Sequence, residues 1–270
     1  MRWAVRRASR PAIVAGASVL ILVAAAALVG ALRHRDGASG CPDLLLVGAR
    51  GSGERVDEAV PSGFGREAAT LARAVTEAAG GRGWSTDAVG VDYPAIPEPE
   101  ARADHAAFEA SVAAGAEDAV AILRARATCA ATRIVLIGSS QGAVVMHRAA
   151  RELATDDRPA DALLGVVLLG DPTRSRREAG VEFRDLDGVA EHDGFLAARG
   201  SGADDVLASG LGAGRVLEVC SAADTVCSAP DPGWSSLTVS EAHHTAYTRP
   251  EVLAAVVAWL AERPDPIAGR

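Results

Sequence analysis

Residues 132–154 read TRIVLIGSSQGAVVMHRAARELA. Four aliphatic residues, Ile134 to Ile137, predict a buried strand, and the run that begins at Gln141 has helical spacing. Between them Gly138-Ser139-Ser140-Gln141-Gly142 matches GxSxG, placed where a strand must turn sharply into a helix. Glycines on either side permit the strained corner that lifts the middle serine off a sheet. On this reading Ser140 is a nucleophile, and Ser139 is in the wrong phase. An ordinary strand-to-helix turn built from small residues is the plainer alternative. The pattern alone does not separate the two.

The surrounding chain has the same rhythm. DLLLVGARGSGE, from Asp43, reads as a buried strand and a glycine-rich turn. Residues 66–79 place Ala69, Leu71, Ala72, Val75 and Ala79 at helical spacing. DAVGVDYPA, 87–95, reads as a second strand, and 101–127 as a long helix with a break expected near Gly115. ALLGVVLLGDP (162–172) and GRVLEVCS (214–221) read as further buried strands, and a last helix starts at Pro250. Solidly apolar strands separated by helices predict a mostly parallel sheet covered on both faces. Residues 173–213 are polar and glycine-containing. They fit either a surface excursion near the site or a simple loop.

A serine hydroxyl needs a base to take its proton, and the base needs a carboxylate to fix its tautomer. In α/β-hydrolases both follow the serine, acid first. His147 lies two turns along the predicted helix and is expected at the surface, as is His192. His243 and His244 precede the last helix, where the base belongs. Asp224 sits inside Cys220-Ser-Ala-Ala-Asp-Thr-Val-Cys227, just after a strand. A disulfide there would hold its carboxylate with little freedom, though a turn aspartate is an equal reading on local grounds. Backbone donors for an oxyanion are expected from the amide of Gln141 and from the loop Ala49-Arg50-Gly51-Ser52-Gly53-Glu54, where Ser52 adds a hydroxyl. That loop matches neither GxGxxG nor GxxxxGK, which disfavours phosphate binding.

The composition limits the alternatives. At 270 residues, 49% apolar and only 4% aromatic, the chain can fill one core of small aliphatic side chains. All of its basic residues are Arg. Six of the 27 basic residues and one of the 35 acidic ones precede Cys41, which leaves 21 basic against 34 acidic beyond it, a net of −13. A domain that acidic repels nucleic acid and anionic lipid surfaces. Residues 12–32 carry no charge, and Arg2, Arg6, Arg7 and Arg10 precede them. The heavier basic flank predicts export of the chain beyond the segment. The segment is long for a cleaved signal, so an uncleaved membrane anchor stands beside that reading. Residues 1–40 are therefore expected to form a signal or anchor with a polar linker, and 41–270 the domain. Export makes the cysteines an expected disulfide set. Cys220 and Cys227 are natural partners, leaving Cys41 with Cys129. No CxxC pair suggests a metal.

Taken together, the chain resembles the cutinase family, the small secreted esterases of fungi and actinobacteria. The resemblance runs from about Cys41 to the last helix. It rests on ARGSGE, VDYPA at 91–95, GSSQGA around Ser140, LLGDPTR at 168–174, CxxxDxxC at 220–227, HTAY at 244–247 and the four cysteines. It implies an α/β-hydrolase fold, a three-layer sandwich. It implies Ser140 as nucleophile, Asp224 as orienting acid, and His244 as base through its His-x-x-Tyr context, which is what chooses His244 over His243. It also implies Ser52 and Gln141 as oxyanion hole, an ester or lipid acyl substrate, and no metal or organic cofactor. Ser139 stands where the family often has Tyr, and Ala223 where it often has Gly. A phospholipase or thioesterase of envelope lipids, or an inactive exported binding protein, are the competing readings.

Overall fold

In a computed structural model, residues 40–126, 128–154, 162–178, 180–199, 211, 214–231 and 245–263 are described. The apolar segment 12–32, His243 and His244 lie outside them. Among the described residues no helix is long and apolar enough to cross a membrane. The chain separates into Met1–Gly40 and Cys41–Arg270, and every described helix and strand lies in the second unit.

The elements in order are β1 (Leu44–Ala49), α1 (Arg66–Gly80), β2 (Thr86–Gly90), α2 (Glu98–Ala103), α3 (His105–Ala125), β3 (Arg133–Ser139), α4 (Gln141–Leu153), β4 (Leu163–Leu169), β5 (Val181–Leu186), a 3₁₀ turn at Ala197–Arg199, β6 (Val216–Ser221) and α5 (Pro250–Ala261). Six strands pair in the order β2-β1-β3-β4-β6-β5. Every pairing is parallel. The solid apolar runs occupy the middle, where both faces need covering. Alternate residues of each strand serve opposite layers. Leu45, Val47, Leu136, Val166 and Leu168 pack with α3 and α4. Leu44, Leu46, Val135, Ile137 and Val167 pack with α1 and α5. The result is the expected three-layer sandwich, with an entirely parallel sheet.

Three sequence expectations shift. The second strand ends at Gly90, and the following Val91 and Tyr93 turn into the core instead. α3 runs straight through Gly115; the helical stretch is broken earlier, at Asp104, whose carboxylate caps α3 by accepting from Ala107 N at 3.0 Å. Gly115 is there for close packing, since a Cβ would press on Val145 and the ring of Tyr93. The polar stretch after residue 173 contains β5, whose sequence Val-Glu-Phe-Arg-Asp-Leu is half-buried at the sheet edge. An edge strand has one wet side, so it lacks the solid apolar signature.

Both disulfides form as expected, Cys41–Cys129 and Cys220–Cys227. The first joins the chain just before β1 to the chain just before β3. The second closes the loop that follows β6. In a chain-entropy picture they contribute about 4–5 and about 2.5 kcal/mol respectively.

Candidate active site

Ser140 stands at the corner between β3 and α4 with φ 53° and ψ −119°. Side chains rarely adopt that conformation, which costs on the order of 1–3 kcal/mol and is kept only where the surroundings enforce it. Here they do. Ser140 N donates to Leu169 O at 2.9 Å, tying the corner to β4, while Ser140 O accepts from Ala143 N at 2.9 Å and starts the helix. A Cβ on Gly138 would collide with the carbonyl of Gly142, and one on Gly142 with the carbonyl of Ala49. Both glycines of the GxSxG run are thus required by close backbone approach. Ser140 sits at the N-terminus of a 13-residue helix, where the helix dipole favours negative charge.

Asp224 is 2% exposed and lies inside the Cys220–Cys227 loop. Its Oδ1 accepts from Val226 N at 2.9 Å and its Oδ2 from the Tyr247 hydroxyl at 2.5 Å. The loop backbone closes on the same residue, with Asp224 N donating to Ser221 O at 2.9 Å and Ser228 N to Asp224 O at 2.9 Å. Tyr247 is itself buried, and its hydroxyl also receives Ser221 N at 3.3 Å. Burial first, then the adjacent Asp224 charge, push the Tyr247 phenol well above its usual range. It is a permanent donor to the carboxylate.

The loop after β1 faces Ser140. Ser52 is partly buried, and its hydroxyl donates to Gln141 Oε1 at 3.4 Å. Gln141 is 1% exposed and opens α4. Two charged residues hold the loop. The Glu54 carboxylate accepts Gly51 N at 2.6 Å through Oε2 and Arg66 N at 2.8 Å through Oε1, so one group spans the loop and the first turn of α1. Arg50 is 3% exposed; it donates to the carbonyls of Glu54 at 2.9 Å and Val91 at 3.2 Å, and to Tyr93 O. The Tyr93 hydroxyl returns a bond to Arg50 O. Burial raises that phenol too.

A cleft of about 770 Å³ opens at Ser140. Gly51, Ser52 and Gln141 line its polar side. Ala101, Phe108, Pro172, Phe195, Leu196 and Val226 make an apolar wall. Phe195 N donates to Val226 O at 2.9 Å and Leu196 N to Pro172 O at 2.7 Å, so the polar excursion does contribute to the site.

The structure therefore gathers Ser140, Ser52 and Gln141 around one cleft and fixes Asp224 in its disulfide loop. His244 lies outside the described residues. Sequence reading missed Arg50, Glu54 and Tyr93 as supports, and gave Tyr247 no role. In ARGSGE the sequence shows only charge among glycines; the burial of Arg50, which marks it as a support, appears in the fold. His192 is exposed, as expected. His147 is a correction: it is 2% exposed, not at the surface. α4 buries ten of its 13 residues between sheet and α3, leaving no wet face at that turn.

A family model described as Cutinase matches residues 40–263. Carboxylesterase Culp1 of Mycobacterium tuberculosis is 35% identical over 161 residues, covering 58% of this chain and 62% of its own length. The chain thus spans less than two thirds of that curated relative. Among solved structures, a cutinase-like protein from Cryptococcus sp. superposes with a TM-score of 0.60 at 22% identity, covering 84% of this chain and 98% of its own. Trichoderma reesei cutinase in complex with a phosphonate inhibitor superposes with a TM-score of 0.54 at 21% identity, covering 82% and 76%. At these identities the two structures speak for the fold.

Proposed function

The chain belongs to the cutinase family, and from that premise we propose that it is an exported serine esterase acting on carboxylic esters. Ser140 Oγ attacks the ester carbonyl. His244 takes the proton and returns it to the leaving alcohol, and Asp224 steadies the imidazolium between those steps. The Gln141 amide and Ser52 hold the oxyanion. Water then clears the acyl-enzyme by the same route. Residues 41–270 form the catalytic domain, and residues 1–40 carry it out of the cytoplasm as signal or anchor.

One observation carries this reading. A serine is held at φ 53° on a strand-to-helix corner, at the mouth of a half-apolar cleft. No architectural need explains a strained serine there, whereas a nucleophile needs that exposure. Asp224 supports it, since Tyr247, which grips Asp224 at 2.5 Å, lies only three residues beyond His244 in the chain. The apolar wall suits an acyl chain.

The test is a p-nitrophenyl ester series, with matched thioesters and phospholipids, run beside a fluorophosphonate label. The native protein is expected to label and to turn over esters. Ser140→Ala and His244→Ala lose both, and His243→Ala keeps them. Labelling that survives Ser140→Ala, or a native protein with intact disulfides that takes no label, overturns the proposal.

A further inference from the structure

Beneath the catalytic corner lies a second cluster that ester hydrolysis does not use. His147, two turns along α4 from Ser140, places Nδ1 2.9 Å from Asp171 Oδ2. Asp171 lies two residues past the end of β4, and its other oxygen accepts from Thr173 N at 2.7 Å and Thr173 Oγ1 at 2.6 Å. Glu218 projects from β6. His147, Asp171 and Glu218 are each at most 2% exposed, and one ligand atom from each lies within 4.8 Å of the other two. On the far side of the imidazole, Nε2 faces Glu178 Oε1 at 3.9 Å.

Asp171 and Glu218 are both buried. Among the described residues, the one ion pair of Glu218 is with the Arg174 guanidinium. The two terminal nitrogens of Arg174 are committed elsewhere: to Asp185 at 2.9 Å, to His192 O at 2.9 Å, and more loosely to the carbonyls of Ala190 and Cys227. Its Nε stands 3.8 Å from Glu218 Oε2, beyond hydrogen-bond reach. Among the described residues, neither Glu218 oxygen accepts a hydrogen bond. A carboxylate buried without donors costs several kcal/mol unless a proton or a cation joins it.

We infer that His147, Asp171 and Glu218 form a buried site for one divalent transition-metal ion, structural in role, that fastens the nucleophile helix to the strand leading into the Asp224 loop. The donor set of one imidazole nitrogen and two carboxylate oxygens suits Zn²⁺ or Mn²⁺. The 2.9 Å between Nδ1 and Oδ2 is close to the edge of a coordination polyhedron with ligands about 2.1 Å from the ion, which is about 3.0–3.4 Å. Asp171 also has an outer partner, since Thr173 N and Oγ1 hold its second oxygen. Outer contacts of this kind orient metal ligands. A charge of +2 offsets the two ligating carboxylates, Asp171 and Glu218.

The experiment uses the full chain, unfolded in guanidinium with EDTA and refolded with Zn²⁺, with Mn²⁺, or with chelator, then desalted. Metal content by mass spectrometry is expected at about one ion per chain, with Tm at least about 4 °C above the chelator-refolded protein. Glu218→Gln and His147→Asn lose both the retained ion and the Tm difference. Wild-type protein that sheds the metal on desalting and melts identically with and without it overturns the site. So does Glu218→Gln that keeps the ion. If a variant does not fold, the wild-type stoichiometry decides alone.

Discussion

The phenol of Tyr247 donates to Oδ2 of Asp224 at 2.5 Å, at a point in the core where both groups are almost wholly shielded from water. A buried carboxylate with two donors, here Tyr247 Oη and Val226 N, keeps one orientation. Tyr247→Phe removes one donor and leaves the ring's packing. A hydrogen bond to a charged group contributes about 1.5–3 kcal/mol, so kcat should fall by about tenfold, with KM little changed and Tm lowered by a few degrees. Steady-state kinetics and a melt check this. A variant within twofold of wild-type kcat would remove Tyr247 from the positioning of the acid.

Glu54→Gln tests the strap on the oxyanion loop. The native carboxylate accepts from Gly51 N and Arg66 N at once. An amide has a single acceptor oxygen and must point its NH₂ at one of those N–H groups. The loop then shifts, and kcat should drop by about 10²-fold, the scale of one lost oxyanion donor. Binding of a tetrahedral phosphonate should weaken in step with kcat, while KM for a short ester holds. Unchanged phosphonate affinity would mean that the strap is merely structural.

Ser140→Ala and Ser140→Gly are both expected to be inactive but to differ in stability. Alanine inherits the strained φ of 53°, whereas glycine adopts it freely. After the larger unfolded-state entropy of glycine is allowed for, Ser140→Gly should be more stable by about 1 kcal/mol, or about 2–4 °C. Equal melting temperatures would show that the corner stores no strain.

The chain has two tyrosines, Tyr93 and Tyr247, and both are buried with phenols raised by desolvation. In the unfolded chain each ionises near pH 10. Above that pH the unfolded state binds fewer protons than the folded one, so stability falls as pH rises, and below it this contribution is fully present. Tyrosinate absorbance at 295 nm should therefore appear in one step, together with loss of the circular dichroism signal. A gradual titration centred near pH 10 in protein that is still folded would contradict the burial of these phenols.

What could be read from the sequence followed burial. β1, β3 and β4 are rich in aliphatic residues because both of their faces are covered, and the expectation of a mostly parallel sheet followed; β6 was read as a buried strand although Glu218 interrupts it. β5 escaped notice because an edge strand needs only one dry face, and Glu182, Arg184 and Asp185 break its pattern. Ser140 was legible from its glycine frame, and Asp224 from its flanking cysteines. Arg50 and Glu54 were not, because charge in a glycine-rich loop looks like solvation until the carbonyls and amides it holds are seen. His147 was misjudged for a related reason. Helical periodicity gives a helix, but not how many of its sides are enclosed.

The Cys41–Cys129 bond has a mechanical consequence. In a parallel sheet all strands start at one pole and finish at the other. The bond rivets the starting pole, joining the approaches to two adjacent central strands. Traction on the chain ahead of Cys41 enters there and spreads through β1 and β3. The mouth lies about 20 Å further on, at the finishing pole, off that line of force. A molecule pulled by its leading segment would thus be hauled from behind, its jaws left undisturbed.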